Sequence, residues 1–221
     1  MGGSKPMSEI KTLYKAGMAE QTIERSRFIC YAAPVKDRAE ADAFIAAVRA
    51  KHKDATHNVP AMVIGEKQQL QWASDDGEPQ GTSGAPMVQM LVREGLTDLA
   101  LVVTRYFGGI KLGTGGLVRA YTSSARLGIE AAGICVVRER SLIKTTIDYS
   151  LLAKLQNLAA SKEGLSFDIG QISYADKISM ELICDKGMEE ELKSLVNNMS
   201  AGAAVFEKES LIKAKILLDK V

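Results

Sequence analysis

LALVVTRYFGGIKLGTGGLVRAY, residues 99–121, places three different local patterns in direct succession. Its first nine residues, rich in Leu, Val and aromatic side chains, predict a buried strand over residues 99–107. Five glycines follow within residues 108–116, and apolar residues at helical spacing then predict a helix over residues 117–132. A strand, a glycine-rich loop and a helix in this order are typical of a mixed α+β domain.

The glycine-rich loop is a candidate anion site. Glycines let backbone N–H groups approach a ligand closely, and the N-terminus of the following helix adds a partial positive charge. Arg105 ends the strand, Lys111 lies in the loop, and two further arginines share the polar face of the helix. We therefore predict a site for an anion or an RNA backbone, formed by Arg105, Lys111, Arg119, Arg126 and the glycines Gly108, Gly109, Gly113, Gly115 and Gly116.

The same loop matches neither common nucleotide-binding motif. Thr114 stands where a P-loop requires lysine, and Val118 stands where the dinucleotide-binding fingerprint requires its third glycine. A purely structural role also stays open, in which the glycines only allow the helix to pack tightly on the sheet. Stacking on bases and packing in the core explain the nearby aromatic residues equally well: Trp72, Tyr106 and Phe107.

A second polar loop, DDGEPQGTSGAP at residues 75–86, carries three carboxylates within four residues. Asp75, Asp76 and Glu78 are candidate Mg²⁺ ligands or a candidate general acid and base, with His57 as a candidate base. The structural alternative is a turn in which the Thr-Ser pair caps the following helix. The sequence leaves both readings open, so we predict no definite catalytic residue, no metal and no cofactor.

The rest of the first part of the chain also mixes helix and strand patterns. We expect a polar connection over residues 19–27 between two strands, and a helix over residues 38–53 that is capped by Asp37. The predicted sheet is mainly antiparallel with its helices on one side. The remaining predicted elements are strands over residues 11–18, 28–35, 59–65, 69–73 and 133–141 and a helix over residues 83–93.

The second part of the chain reads as a β-α-β-β-α-β unit, the ferredoxin-like pattern. A phase change at Gly170 within one strand predicts a β-bulge. We expect the helices to cover one face of this sheet and the other face to meet solvent or a protein partner. The predicted strands cover residues 142–148, 165–174, 177–184 and 212–218, and the predicted helices residues 149–162 and 188–199.

Charge divides the chain into two parts. Through Arg140 there are 18 Lys and Arg against 15 Asp and Glu, a net charge of +3, and the remainder has 10 against 12, a net charge of −2. All ten arginines lie in the first part, and arginine suits phosphate recognition better than lysine does. We predict domains over residues 7–140 and 141–221, with residues 1–6, MGGSKP, as a remnant of an expression tag.

Composition excludes several classes of protein. The chain of 221 residues is 46% hydrophobic and 25% charged, which is typical of a folded domain rather than a disordered chain. No apolar run reaches the roughly 20 residues that a transmembrane helix needs, and no secretion signal is recognisable. The three cysteines are far apart and form neither a disulfide framework nor a zinc motif. We therefore expect a soluble, cytoplasmic protein without a membrane partner.

Four stretches of this sequence resemble the IMPACT family. They are ERSRFI at residues 24–29, ATHNVPA at residues 55–61, the acidic loop at residues 75–86, and VVTRYFGGIKLGTGGLVRAY at residues 102–121. The resemblance implies an N-terminal βαβ domain like those of a ribosomal protein and elongation factor G, followed by a ferredoxin-like C-terminal domain. Eukaryotic relatives regulate translation through an additional domain, so their particular role is not carried over to this chain.

Three functions are compatible with these observations. The first is a non-enzymatic RNA- or ribosome-associated factor that regulates translation, which the arginine distribution, the glycine loop and the resemblance favour. The second is an enzyme that acts on a small phosphorylated or anionic substrate with the acidic loop and the glycine loop. The third is a protein-interaction module that binds a partner through the C-terminal sheet.

Overall fold

The computed structural model describes residues 10–161 and 164–218. They form two compact units, one of residues 10–137 and 215–218 and one of residues 138–161 and 164–214. The predicted tag remnant at residues 1–6 lies outside the described residues, as do Lys162 and residues 219–221. None of the described helices combines the length and apolarity that crossing a bilayer requires.

The first unit is built on a five-stranded antiparallel sheet of order β2-β3-β6-β4-β5. Because β3 and β4 are both antiparallel to β6, they are parallel to each other, and α1 connects them across β6 as a split βαβ unit. The elements are β1 (Ile10–Leu13), β2 (Gly17–Ile23), β3 (Ser26–Pro34), α1 (Arg38–Lys51), β4 (His57–Ile64), β5 (Leu70–Ala73), α2 (Gly84–Arg93), β6 (Leu99–Tyr106) and α3 (Gly113–Ala132). The mixed fold and the antiparallel sheet are confirmed.

Helices cover both faces of this sheet, so the expectation of helices on one side is wrong. Along β6, Leu101 and Val103 lie in the apolar core formed with α2 and α3. Ala100 and Val102 lie in a second core formed with α1. Because β6 is buried on both faces, its first five residues, Leu99 to Val103, are all apolar and show no alternation.

The polar stretch at residues 19–27 is not a connection, because most of it forms the edge strand β2. Its polar side chains are compatible with a strand because β2 lies at the edge of the sheet beside β3, and three of its seven residues are exposed. Glu24 and Arg25 make the tight turn between β2 and β3, with left-handed φ angles of 46° and 61°. Positive φ values are strained for side chains other than glycine, so the turn is held by its surroundings.

The second unit has the predicted β-α-β-β-α-β order, with its sheet in the order β10-β7-β9-β8. Its elements are β7 (Ile134–Ile147), α4 (Tyr149–Ser161), β8 (Phe167–Tyr174), β9 (Ile178–Asp185), α5 (Glu189–Met199) and β10 (Val205–Leu217). A register shift between Ile169 and Ile172 confirms the bulge at Gly170. The predicted strands over residues 133–141 and 142–148 are one strand, β7. Its residues 134–137 belong to the first unit and pair there with β1, and the rest of the strand belongs to the second unit.

Candidate functional site

Three of the sequence motifs meet at one end of the first unit's sheet. In the strand register, His57 at the start of β4 lies opposite Arg105 near the end of β6. On the other side of β6, Arg27 at the start of β3 lies opposite Tyr106. The acidic loop packs against this end of the sheet. A Cβ atom placed on Gly77 would lie 3.4 Å from Nδ1 of the His57 ring. We therefore treat this end of the sheet as the candidate site.

A buried ion pair occupies the middle of the site. Arg105 Nη1 donates to Glu78 Oε1 at 2.6 Å, and the two side chains are only 5% and 4% exposed. The hydroxyl of Tyr121 on α3 donates to the same oxygen at 2.8 Å. Burial, and then the neighbouring Glu78 charge, raises the pKa of Tyr121, so the phenol stays protonated. Arg105 is therefore enclosed, with its charge matched by Glu78.

His57 joins the acidic loop to this ion pair. Its Nδ1 lies 2.8 Å from the backbone carbonyl oxygen of Asp76. A carbonyl oxygen can only accept a hydrogen bond, so Nδ1 carries a proton in this arrangement. The other ring nitrogen, Nε2, lies 3.8 Å from Glu78 Oε1. The histidine therefore faces the buried carboxylate with its second nitrogen.

The first two carboxylates of the acidic loop have structural partners. Asp76 accepts from Arg49 Nη2 at 2.8 Å and from the backbone N–H of Asn58 at 2.6 Å. Asp75 accepts from the backbone N–H groups of Ser83 and Gly84 at the start of α2. Ser83 occupies the N-cap position of α2, as the structural alternative expects, but its hydroxyl donates to Asp75 at 2.6 Å and bonds no helix N–H group. Asp75, eight residues before Ser83, accepts the backbone N–H groups at the start of the helix instead.

Hydrogen bonds keep Asp75 ionised. Burial alone would raise the pKa of Asp75, but the Ser83 hydroxyl and the N–H groups of Gly81, Gly84 and Ser83 outweigh it and lower the pKa. Within residues 10–161 and 164–218, no group of three or more His, Cys, Asp or Glu side chains is placed to hold a metal ion. The geometry therefore does not favour the reading of the acidic loop as a Mg²⁺ site.

The glycine loop is shorter than predicted, because α3 begins at Gly113 rather than at residue 117. Gly108 is required by close packing, since a Cβ atom there would lie 2.0 Å from the carbonyl oxygen of Arg25. Gly109 and Gly113 have left-handed φ angles of 85° and 70°, which favour glycine. Gly115 has neither constraint and is exposed in the first turn of the helix.

The predicted basic residues separate into two groups. Lys111 and Arg119 are exposed and have no ion pair in the described part of the chain. Arg126 forms a 2.5 Å ion pair with Glu94, and Arg105 is paired with Glu78. Two unneutralised positive charges therefore remain beside the start of α3, where no side chain caps the helix and no acidic residue occupies the first turn.

Sequence reasoning left some residues of the site undecided and missed others. Phe107, for which stacking and core packing are both possible from the sequence, is 46% exposed, and Ile110, which no pattern marks, is 36% exposed. Asn58 and Ser26 lie in the stretches at residues 55–61 and 24–29 without a predicted role, Arg49 lies in no motif, and all three bond to side chains of the site. His52 has a structural environment on the α1 face, where its ring nitrogens lie 2.9 Å from the hydroxyls of two tyrosines, Tyr106 and Tyr31.

Comparisons with known proteins agree with this architecture. The family described as Impact N-terminal domain matches residues 24–129, and a domain of unknown function matches residues 145–203. IMPACT family member YvyE of Bacillus subtilis is 42% identical over 77% of each chain. An IMPACT family member of Haemophilus influenzae is 34% identical over 91% of this chain and 97% of its own length. The crystal structure of a hypothetical protein, 29% identical, superposes over 90% of this chain and 97% of its own with a TM-score of 0.57.

Proposed function

The chain belongs to the IMPACT family, and on this premise we propose that it is a non-enzymatic RNA- or ribosome-associated factor that regulates translation in the cytoplasm. The observation that supports this proposal most is the exposed loop at residues 107–112 with the first turn of α3. Backbone N–H groups, the charge of Lys111 and the exposed ring of Phe107 belong to this segment, and Arg119 in the second turn reaches back to it, since a Cβ atom at Gly115 would lie 3.7 Å from its Nη1. Phosphate and base are the two chemical groups that such a surface suits.

The electrostatics of the surface favour a polyanion. Lys111 and Arg119 form no ion pair among residues 10–161 and 164–218, and the helix N-terminus adds to their field. Two phosphate contacts predict a fall in affinity of about tenfold between about 50 and about 200 mM salt. Weak binding of this kind suits a factor that associates with a large RNA surface at several points.

An enzymatic function has less support. Each of the three loop carboxylates already accepts hydrogen bonds from protein donors, and Glu78 is 4% exposed. A general base needs a lone pair that reaches a substrate proton. The geometry engages Asp75 with the helix N-terminus and Asp76 with Arg49, so neither is poised for that role.

A protein partner on the second unit is the other candidate. Its strand β10 lies at the edge of the sheet and exposes Val205 and Leu211, each at 54%. Edge strands with apolar side chains are suited to pairing with another chain. Replacing Leu211 by Lys should abolish the capture of such a partner and leave ribosome binding unchanged.

Sedimentation with ribosomes at the two salt concentrations tests the main proposal. We expect the wild-type chain to co-sediment at low salt, and the variant Lys111→Glu with Arg119→Glu to remain in the supernatant. The matched control is Lys67→Glu with Arg93→Glu, which makes the same charge change at exposed sites on the β4–β5 turn and the end of α2. Equal sedimentation of both variants, or none of the wild type at low salt, would count against the proposal.

A further inference from the structure

Phe107 is the most exposed apolar side chain of the glycine loop, and its position is fixed. Its backbone N–H donates to the Thr56 hydroxyl at 3.0 Å. The guanidinium carbon of Arg105 lies 5.3 Å from the centre of the phenyl ring. The ring is 46% exposed although it rests on this support. Phe107 therefore presents a ring surface to solvent from a defined place.

The Arg105 guanidinium beside Phe107 is itself held by hydrogen bonds and a ring contact. Arg105 donates to Glu78 at 2.6 Å and to the Ser26 hydroxyl at 3.3 Å. Its guanidinium carbon also lies 5.4 Å from the centre of the Phe28 ring. The Ser26 hydroxyl in turn accepts the N–H of Gly108, at 3.2 Å, which fixes the next residue of the loop. A preorganised ring loses little conformational freedom when a ligand covers it.

We propose that the loop at residues 107–112 binds single-stranded RNA by stacking one unpaired base on the exposed surface of Phe107. This inference rests on the RNA-binding function proposed above and names its ligand class. Base-on-aromatic stacking tolerates any sequence, because every base has a π-face. Lys111, exposed four residues further on, is available for a phosphate of the same strand.

The aromatic ring distinguishes single strands from duplexes. In double-stranded RNA each base face is covered by its neighbours, and proteins bind the phosphates and 2′-hydroxyls instead. A loop suited only to a duplex backbone would gain nothing from an exposed phenyl ring. Unpaired bases in loops, bulges and ends are the ones that stack on aromatic side chains.

Fluorescence anisotropy with the full chain tests this inference. The probes are a labelled single-stranded RNA of about a dozen nucleotides, a hairpin duplex of related sequence, and the single strand with abasic positions. Phe107→Leu keeps an apolar side chain but removes the aromatic face. Tyr14→Leu is the matched control, since Tyr14 is also 46% exposed in the first unit. Thermal unfolding of both variants checks that they are folded.

We expect tighter binding of the single strand than of the duplex, and a loss of about 5- to 150-fold for Phe107→Leu on the intact single strand. Tyr14→Leu should bind like the wild type, and abasic RNA should bind the wild type as weakly as intact RNA binds Phe107→Leu. Equal affinity for strand and duplex, with no effect of Phe107→Leu, would overturn the stacking inference. The proposed function would survive that result if the wild-type chain still co-sedimented with ribosomes and the variant Lys111→Glu with Arg119→Glu did not. Absence of binding to every RNA and to ribosomes would overturn both.

Discussion

Replacing Glu78 by Gln removes the charge opposite Arg105 while it preserves the size of the side chain. The carbonyl oxygen of the new amide still accepts hydrogen bonds from Arg105 and from Tyr121, which both bond Oε1 at present. What changes is that the guanidinium, 5% exposed, loses its neutralising partner. A buried charge without compensation is the costly product of such a substitution.

The expected loss in the free energy of unfolding is about 3–5 kcal/mol, the range for breaking one side of a buried pair. With urea m-values of about 1–3 kcal/mol per molar, the midpoint should fall by about 2 M. The matched control is Glu20→Gln, because Glu20 and Arg27 form a similar pair that is 42% and 52% exposed. Solvent screens that pair, so its loss should shift the midpoint far less.

Urea unfolding followed by tryptophan fluorescence is the assay. Trp72 is the chain's one tryptophan and lies on β5, so the signal reports on the first unit. The double variant Glu78→Leu with Arg105→Met replaces both charges by apolar groups and should be at least as stable as Glu78→Gln. A Glu78→Gln midpoint close to that of Glu20→Gln, or a double variant less stable than Glu78→Gln, would refute the reasoning.

Three further predictions concern the same unit. Asp75→Asn should make the free energy of unfolding less dependent on pH in acid, because folding lowers the pKa of Asp75. The stabilisation by its carboxylate is complete above the ordinary pKa of 3.8 and is lost as pH falls through the folded pKa. The urea midpoints of the variant and the wild type should therefore differ at about pH 5 and converge towards about pH 2. Gly108→Ala should destabilise the unit by about 1–3 kcal/mol, because the added Cβ atom would clash with the Arg25 carbonyl oxygen. Gly115→Ala should stabilise it by up to about 1 kcal/mol, because alanine favours the helix more than glycine does. Equal thermal stability of the two variants would contradict this prediction. Alkylation of Cys30 in the native chain at about pH 8 should be slow, because burial raises the pKa of its thiol to about 12. Rapid labelling would show that the core around a thiol opens. Mass spectrometry would identify which of the buried cysteines reacted: Cys30, Cys135 or Cys184.

The helices and strands were largely predictable because their signals are local. Alternation along β9, helical spacing in α3 and the Asp37 cap of α1 each depend on residues a few positions apart. The cap illustrates this, since the Asp37 side chain accepts from the N–H of Glu40, three residues on. The ferredoxin-like order of the second unit follows from such signals in sequence.

The errors arose where a neighbour in space outweighed a local pattern. Residues 19–27 look like a connection because their polar side chains suit an exposed edge strand as well as a loop. Ser83 stands at the N-cap position of α2 as predicted, but the side chain that accepts the N–H groups there is Asp75, eight residues away. The side of the sheet that each helix covers was wrong because a strand buried on both faces gives no alternation from which to read it.

The amino-acid pattern alone predicted the mixed fold, two domains and a glycine-rich loop that contains Lys111. Only the folded chain decides which charges are free. Glu78 meets Arg105 across 27 residues and Tyr121 across 43, while Arg126 is neutralised by Glu94 on another helix. Lys111 and Arg119 form no ion pair with any residue that the structure describes. Which charges pair depends on distance in space, and residues far apart in sequence come close only after the strands of the sheet have paired.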